Sequence, residues 1–361
     1  MINGEITSLV DPLRDASGSA AHRVFLDAAL NAFRDGATIG DAYVALLRQV
    51  LEPLEIAVLD ASHPDVVRAG GPLLHRAAVS SEALAAAVAR RTDDIVAAGF
   101  KPQVDVVADL SLVSLNTNGI KRRLPLREAS AIDQARGGFL SSTVLLRPVV
   151  ERSIVPTAAY VAGPGEFAYF AQVSAVADSL GVPSPLVVPR WSATIVEPRI
   201  QRILDQLGLT VEDLADPHAA DGRVARDHLS PDATRALADL RGDLRTDIER
   251  LRRSSDGLVP DPVLDGLAHA IEHRLERTER RLLAGVKRRE VEAMRQLATA
   301  RGALFPHGVR QERKLAFIPF LARYGQPLLD RMLIDARGHA RSLMAGAPPV
   351  PSSLVGAPAR V

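Results

Sequence analysis

A strand, a glycine turn, a helix and a second strand follow one another between residues 156 and 190, and that order constrains the chain more than any other feature. Pro156-Thr-Ala-Ala-Tyr-Val-Ala162 reads as an apolar strand, and Gly163-Pro164-Gly165-Glu166 ends it. Phe167 to Leu180 is a helix closed by Gly181, and Pro185-Leu-Val-Val-Pro-Arg190 is the next strand. Two strands joined through a helix run parallel, with a right-handed crossover. In such sheets ligands sit beyond the carboxyl ends of the strands, where the N–H groups and dipole of a helix start favour anions. Gly163, Gly165 and Glu166 are therefore expected to line a crevice. Val187-Val-Pro-Arg-Trp-Ser-Ala-Thr194 puts Arg190, Ser192 and Thr194 just past the second strand, facing the same crevice if the two strands are neighbours. An arginine fork there suits a carboxylate or phosphate. Tyr160, Tyr169 and Gln172 are second choices for substrate contacts. The competing reading is structural: an ordinary tight turn with Glu166 as a helix-start charge, and a salt-bridged arginine beside capping hydroxyls.

The flanking segments repeat the same α/β logic. His22 to Phe33 and Ile39 to Leu51 carry apolar residues at helical spacing, and Leu54 to Asp60 reads as a buried strand. Ser62-His-Pro-Asp65 marks a helix start, and an alanine-rich helix runs from Ser80 to about Ala98, stopping at Gly99. Alternation then replaces helical spacing: Val104 to Ala108 and Leu110 to Asn116 alternate, Asn118-Gly119 supplies a tight turn, and Ile120 to Leu126 resumes as a strand. An antiparallel hairpin is thus inserted in the core, at about residues 100–130. Residues 1–20 read as a loose lead-in to a core spanning 21–200.

Beyond Ile200 the pattern turns helical. Leu237, Leu240, Leu244, Ile248 and Leu251 keep three-and-four spacing, as do Leu264, Leu267, Ile271, Leu275, Thr278 and Leu282. Asp256-Gly257 and Pro260-Asp-Pro262 break the helix between them, so 201–304 is expected to contain an antiparallel coiled-coil arm. Arg274, Arg277, Arg280, Arg281, Lys287, Arg288 and Arg289 are read as its solvated flank, with phosphate binding as the rarer alternative. Leu304-Phe-Pro-His-Gly308 and Gln311-Glu-Arg313 turn the chain back, with Glu312 and Arg313 placed to anchor it. Return helices are expected over 305–345 and a disordered Gly/Ala/Pro/Ser tail over 346–361.

Composition narrows the function classes. Hydrophobic residues are 47% and charged residues 24% of 361, as in a folded protein with a sizeable core. A net charge of +1 offers no global attraction to nucleic acid or membrane. The absence of cysteine removes disulfides, thiolate metal sites and a cysteine nucleophile, and fits a reducing compartment. No leader-like segment and no run of roughly 20 apolar residues is evident, so a cytoplasmic protein is expected. His269 and His273 stand four apart without the glutamate of a zinc-protease motif, so no metal site is expected.

Several motifs in series resemble the family of bacillithiol-biosynthesis cysteine-adding enzymes. They are Leu145-Leu-Arg-Pro-Val-Val150, the run Pro156 to Gln172, Val187 to Thr194, Ala303-Leu-Phe-Pro-His-Gly308, Gln311-Glu-Arg313 and Pro319-Phe-Leu-Ala-Arg-Tyr-Gly325. The segment Glu55 to Asp60 and the phrase Ala97-Ala-Gly-Phe-Lys-Pro-Gln-Val104 also fit, and the order holds from about residue 40 to 335. The resemblance implies a Rossmann-type core, similar to class I aminoacyl-tRNA synthetases and the mycothiol cysteine ligase, with a coiled-coil arm supporting a homodimer. It also implies ATP-dependent ligation of L-cysteine to the amine of glucosaminyl-malate. Measured against the family pattern the core is incomplete, since roughly its first third, with a Gly-Gln-Gln-type motif, has no counterpart here. Three readings stay open: a ligase; a non-catalytic dimerising module or one half of a split enzyme; and a nucleotide-sugar transferase, for which no metal-binding carboxylate pair speaks.

Overall fold

A computed structural model describes residues 2, 8, 12, 15, 20–132, 138–348 and 353–356. Most of the expected lead-in, and the tail outside 353–356, lie outside the described residues; Ile2 is buried, its N–H donating to the Ala37 carbonyl at 2.8 Å. The chain forms two compact units, one built mainly on Asp27–Trp191 and the other on Ser192–Gly338.

Two helices come first, α1 (Arg23–Ala32) and α2 (Ile39–Leu51). Thr38 caps α2 by accepting from the Asp41 N–H at 3.0 Å. The strand expected at 54–60 does not form. Glu52–Leu54 is a 3-10 turn, Glu55 adopts a left-handed conformation (φ 55°), and Ile56 and Leu59 are 50% and 61% exposed. An apolar run becomes a strand only where a neighbour satisfies its backbone, and none pairs with this one among the described residues.

Helices α3 (Pro64–Val79) and α4 (Ser81–Ala97) follow where expected, His63 and Pro64 starting the first and Gly99 (φ 83°) stopping the second. Strands β1 (Leu110–Thr117) and β2 (Ile120–Pro125) form the hairpin about Asn118 (φ 51°) and Gly119 (φ 78°), the positive-φ pair that a tight two-residue turn requires. The short helix α5 (Leu126–Ser130) precedes β3 (Phe139–Ser142), which pairs antiparallel with the other edge of β1, giving the order β2-β1-β3. The expected βαβ unit is present after α6 (Arg147–Ile154): β4 (Tyr160–Ala162), α7 (Pro164–Ser179) and β5 (Val187–Pro189), with β4 and β5 parallel.

Helix α7 is the pillar of this unit. Tyr169, Phe170, Val173 and Val176 are buried on more than one of its faces, which suits a helix enclosed by protein. Its neighbours in the core include Leu84, Val88, Val113, Leu124, Leu146 and Val149. Gly70 lets α3 lie close to α6: a Cβ there would stand 3.1 Å from Val150 Cγ1.

The second unit begins with β6 (Ala193–Val196) and α8 (Pro198–Leu207), continues through α9 (Pro217–Asp227), and contains the arm helices α10 (Pro231–Ser254) and α11 (Asp261–Arg289). The arm is antiparallel. Arg252, late in α10, binds Asp261 and Asp265 early in α11 (2.6 and 2.7 Å), whereas Arg241 reaches Glu272 and Glu279 farther along (2.9 and 3.4 Å). Ile248 and Leu264 are buried in the seam, while Leu240, Leu251, Leu267 and Leu282 stay exposed.

Helix α12 (Val291–Leu304) packs on α8 through Ile203, Leu204, Leu297 and Leu304. Gln311 anchors the returning chain, accepting from the Ile195 N–H at 2.8 Å and donating to the Ile195 and Ala303 carbonyls at 3.0 Å. This clamp lies one residue before the Glu312-Arg313 pair expected to anchor it. Helix α13 (Ile318–Met344) kinks at Gly325 (φ 64°, ψ −157°), where the His22 ring occupies the place of a side chain, 2.6 Å from an ideal Cβ. Finally β7 (Ser353–Gly356) pairs parallel with β6, so this part of the tail is not disordered: its Ser-Leu-Val-Gly run has a strand to pair with. Among the described residues, no helix is long and apolar enough to cross a membrane.

The first unit's core predicts a measurable cost for truncation. Leu124 is fully buried, so Leu124→Ala should lower unfolding free energy by about 2–5 kcal/mol in urea denaturation. A loss below about 1 kcal/mol would show that this part of the core is not closely packed.

Candidate active site

The carboxyl ends of β4 and β5 and the amino end of α7 converge on one cluster. β4 delivers Tyr160; Gly163 follows as the residue before α7; Glu166 and Tyr169 stand in its first turns. Pro164 fits the first helical position, where an N–H would have no helical partner. Glu166 reaches back so that Oε2 accepts from the Gly163 N–H at 3.0 Å, closing the turn. Gly163 having no side chain, only this backward half of a capping box exists.

Glu166 Oε1 gathers the remaining donors. Arg147, at the start of α6, approaches it at 3.2 Å, the Tyr160 hydroxyl at 3.4 Å and the Tyr169 hydroxyl at 3.5 Å. The same Arg147 nitrogen also donates to the Tyr160 and Tyr169 hydroxyls, at 3.0 and 3.5 Å. Glu151, one turn further along α6, lies 3.6 Å from Arg147 Nε. The rings are fixed from behind by Phe170, 5.0 Å from the Tyr160 centroid and 5.9 Å from that of Tyr169.

Arg190 closes the other side. Its N–H donates to the Ala162 carbonyl at 2.8 Å, extending the β4–β5 ladder, and its side chain passes Gly163 so closely that a Cβ there would lie 3.1 Å from Nε. A side chain at Gly163 would therefore make Arg190 shift by a few tenths of an ångström. A side chain at Gly165 would meet nothing within 4 Å.

Burial sets the protonation pattern. It pushes the Tyr160 hydroxyl up to about 12 against the opposing pull of Arg147, and it raises Tyr169 in the same way. Burial also raises Glu151, again with Arg147 opposing. Both phenols are therefore neutral near pH 7 and act as donors to Glu166. Burial disfavours the Arg147 charge, but Tyr160, Glu151 and Tyr169 more than compensate and hold its guanidinium above the usual value. With four donors on its carboxylate, Glu166 is a positioning group that aims Arg147 and fixes the helix start. About half of the Arg147 side chain remains exposed, leaving its outer edge accessible to an anion.

The structure thus brings Tyr160, Gly163, Glu166, Tyr169 and Arg190 together. Gln172 is fully buried deeper in α7, donating to the Val104 carbonyl (2.9 Å) and Thr92 Oγ1 (3.1 Å) and accepting from the Val104 N–H (3.3 Å). Ser192 and Thr194 belong to the second unit, where they are 7% and 8% exposed, just before and within β6. Arg147 is the addition. Spacing alone gave no reason to choose it, but it is the charged residue of the Leu145–Val150 motif.

A parallel βαβ unit with a polar cluster at its helix start, followed by an antiparallel helical arm, defines a Rossmann-like protein carrying a coiled-coil domain. Comparison with known proteins agrees segment by segment. Residues 5–191 match the N-terminal Rossmann-like domain, and residues 193–340 the C-terminal coiled-coil domain, of the family described as Bacillithiol biosynthesis BshC. The chain belongs to this family. Relatives bearing the name "Putative cysteine ligase BshC" include one from Solibacter usitatus, 30% identical over 83% of this chain and 60% of its own length. Another, from Koribacter versatilis, is 28% identical over 92% of this chain and 65% of its own length. A third, from Salinibacter ruber, is 35% identical over 53% of this chain and 35% of its own. The chain therefore spans less than two thirds of the length of the curated relatives it matches.

Tyr160 supplies a direct electrostatic test. An ordinary tyrosine ionises near 10, whereas Tyr160 keeps its proton to about 12. The folded state then binds the extra proton, so this group's stabilisation is complete below about pH 10 and lost as pH rises from about 10 to 12. Ultraviolet titration of tyrosinate should show a last step near pH 12 that Tyr160→Phe removes. A wild-type titration completed near pH 10 would contradict the buried cluster.

Proposed function

We propose that the chain acts in adding L-cysteine to glucosaminyl-malate, the last step of bacillithiol synthesis, with ATP activating the cysteine carboxylate. The observation that carries this reading is the convergence of Arg147 and Arg190 on the Gly163 turn of a chain belonging to this family. Amide formation joins a carboxylate to an amine, so an anionic carboxylate must be held and its oxygen made a leaving group. As a substrate, ATP would supply that activation: the cysteine carboxylate would attack its α-phosphorus, expelling pyrophosphate and forming an adenylate, and the sugar amine would then displace AMP and lose a proton as the amide forms.

The residues present suit the binding part of this task. Two guanidinium groups and the α7 start complement a carboxylate or phosphate, and Glu166 aims one of those guanidiniums. Gly163 leaves room for the Arg190 side chain to lie against the turn. Glu166 is occupied by donors and both tyrosines hold their protons, so none of these three is poised as a base. Positioning and charge stabilisation are then what this site contributes.

A second reading, a dimerising module in which the arm acts without chemistry, is favoured by one observation. Leu240, Leu251, Leu267 and Leu282 remain exposed on α10 and α11, as a helix pair awaiting a second copy would leave them. A homodimer is compatible with either reading. A dimer whose melting temperature ignores ATP, cysteine and glucosaminyl-malate would favour the second.

Arg190→Ala tests the first reading. Removing a charged hydrogen-bonding partner costs about 1.5–3 kcal/mol, so calorimetry should show about tenfold or greater weakening for glucosaminyl-malate or ATP. Unchanged affinity for both would remove Arg190 from the site.

A further inference from the structure

Helices α8 and α12 share a buried apolar seam, with Ile203 and Leu297 at 7% and 1% exposure, and above it their outer faces form an open groove of about 320 Å³. Its walls are unusually cationic. Arg199 and Arg202 stand three apart on α8 and face Arg295 on α12, with Thr299 one turn farther along. Glu292 is the one carboxylate lining the groove among the described residues. It is already engaged within its own helix: Arg295 donates to both of its oxygens at 2.9 Å, and Gln296 adds a contact at 3.3 Å. Arg202 makes one weak bond, to the Pro198 carbonyl at 3.4 Å, and neither Arg199 nor Arg202 pairs with a carboxylate among the described residues.

Three guanidiniums and one spent carboxylate leave two positive charges uncompensated around one concavity. Like charges three apart on a helix repel, and nothing in the packing of Ile203 against Leu297 requires them. An anion between the helices would relieve that repulsion, and planar guanidiniums match phosphate oxygens in pairs. The volume lies at the small end of ligand sites, which suits a compact phosphorylated molecule. We propose that the α8–α12 groove is a binding site for a small phosphate dianion or diphosphate, held by Arg199 and Arg202 with Arg295 as the third contact. The site lies wholly within the second unit.

Calorimetry of the full chain with inorganic pyrophosphate, at low salt and without metal, tests it. Saturable binding is expected, weakened about tenfold or more in a variant combining Arg199→Ala and Arg202→Ala. Glu292→Gln removes the competing anion while leaving the fold's core untouched, and should tighten binding several-fold. Arg235→Ala, which removes an exposed arginine of α10 outside both clusters, should leave pyrophosphate affinity unchanged. Because all these side chains are exposed, circular dichroism melts should match wild type. The proposal is overturned by absence of saturable binding, by wild-type affinity in the double variant, by no tightening in Glu292→Gln, or by equal weakening in Arg235→Ala.

Discussion

The Glu166 carboxylate is the contact on which the first unit's site depends. It sits where a strand becomes a helix, and it draws donors from three neighbouring pieces of chain: the Gly163 N–H, the tyrosines of β4 and α7, and Arg147 from α6. Without it, Arg147 would face the half-buried Tyr160, the buried Tyr169 and an unanchored turn. With it, one guanidinium is aimed and a second, Arg190, is held nearby by the β4–β5 ladder. The cluster holds together because its donors and acceptors are matched locally, with Arg147 flanked by Glu166 and Glu151.

The two units solve different packing problems. In the first, α7 is enclosed by protein, so its geometry is fixed by core contacts and the site at its start inherits that rigidity. In the second, long amphipathic helices bury a single stripe and leave others open: leucines along α10 and α11, arginines along α8 and α12. The α/β core therefore offers a rigid polar cluster at a helix start, while the helical part offers surfaces.

Much of this was legible in the residues because the physics behind it is local. Gly163-Pro164-Gly165 announced a strand end and helix start, Asn118-Gly119 a positive-φ turn, and leucines at three-and-four spacing the arm. What escaped was set by distant partners. Leu54 to Asp60 has the composition of a strand but no strand to pair with among the described residues, whereas Ser353 to Gly356, in a tail that reads as disordered, finds β6. Gln172 reads as a polar residue beside the site, yet its amide is consumed by Val104 and Thr92, far away in sequence. Arg147 was visible only as part of a motif, because helical spacing cannot show that α6 and α7 start near one another.

The most direct measurement is mass-spectrometric detection of bacillithiol from the purified chain with ATP, L-cysteine and glucosaminyl-malate, run beside an Arg147→Ala variant that melts like wild type. The account predicts product above the no-enzyme control for the native chain and its loss in the variant. No product from the folded native chain, or undiminished product from the variant, would contradict it.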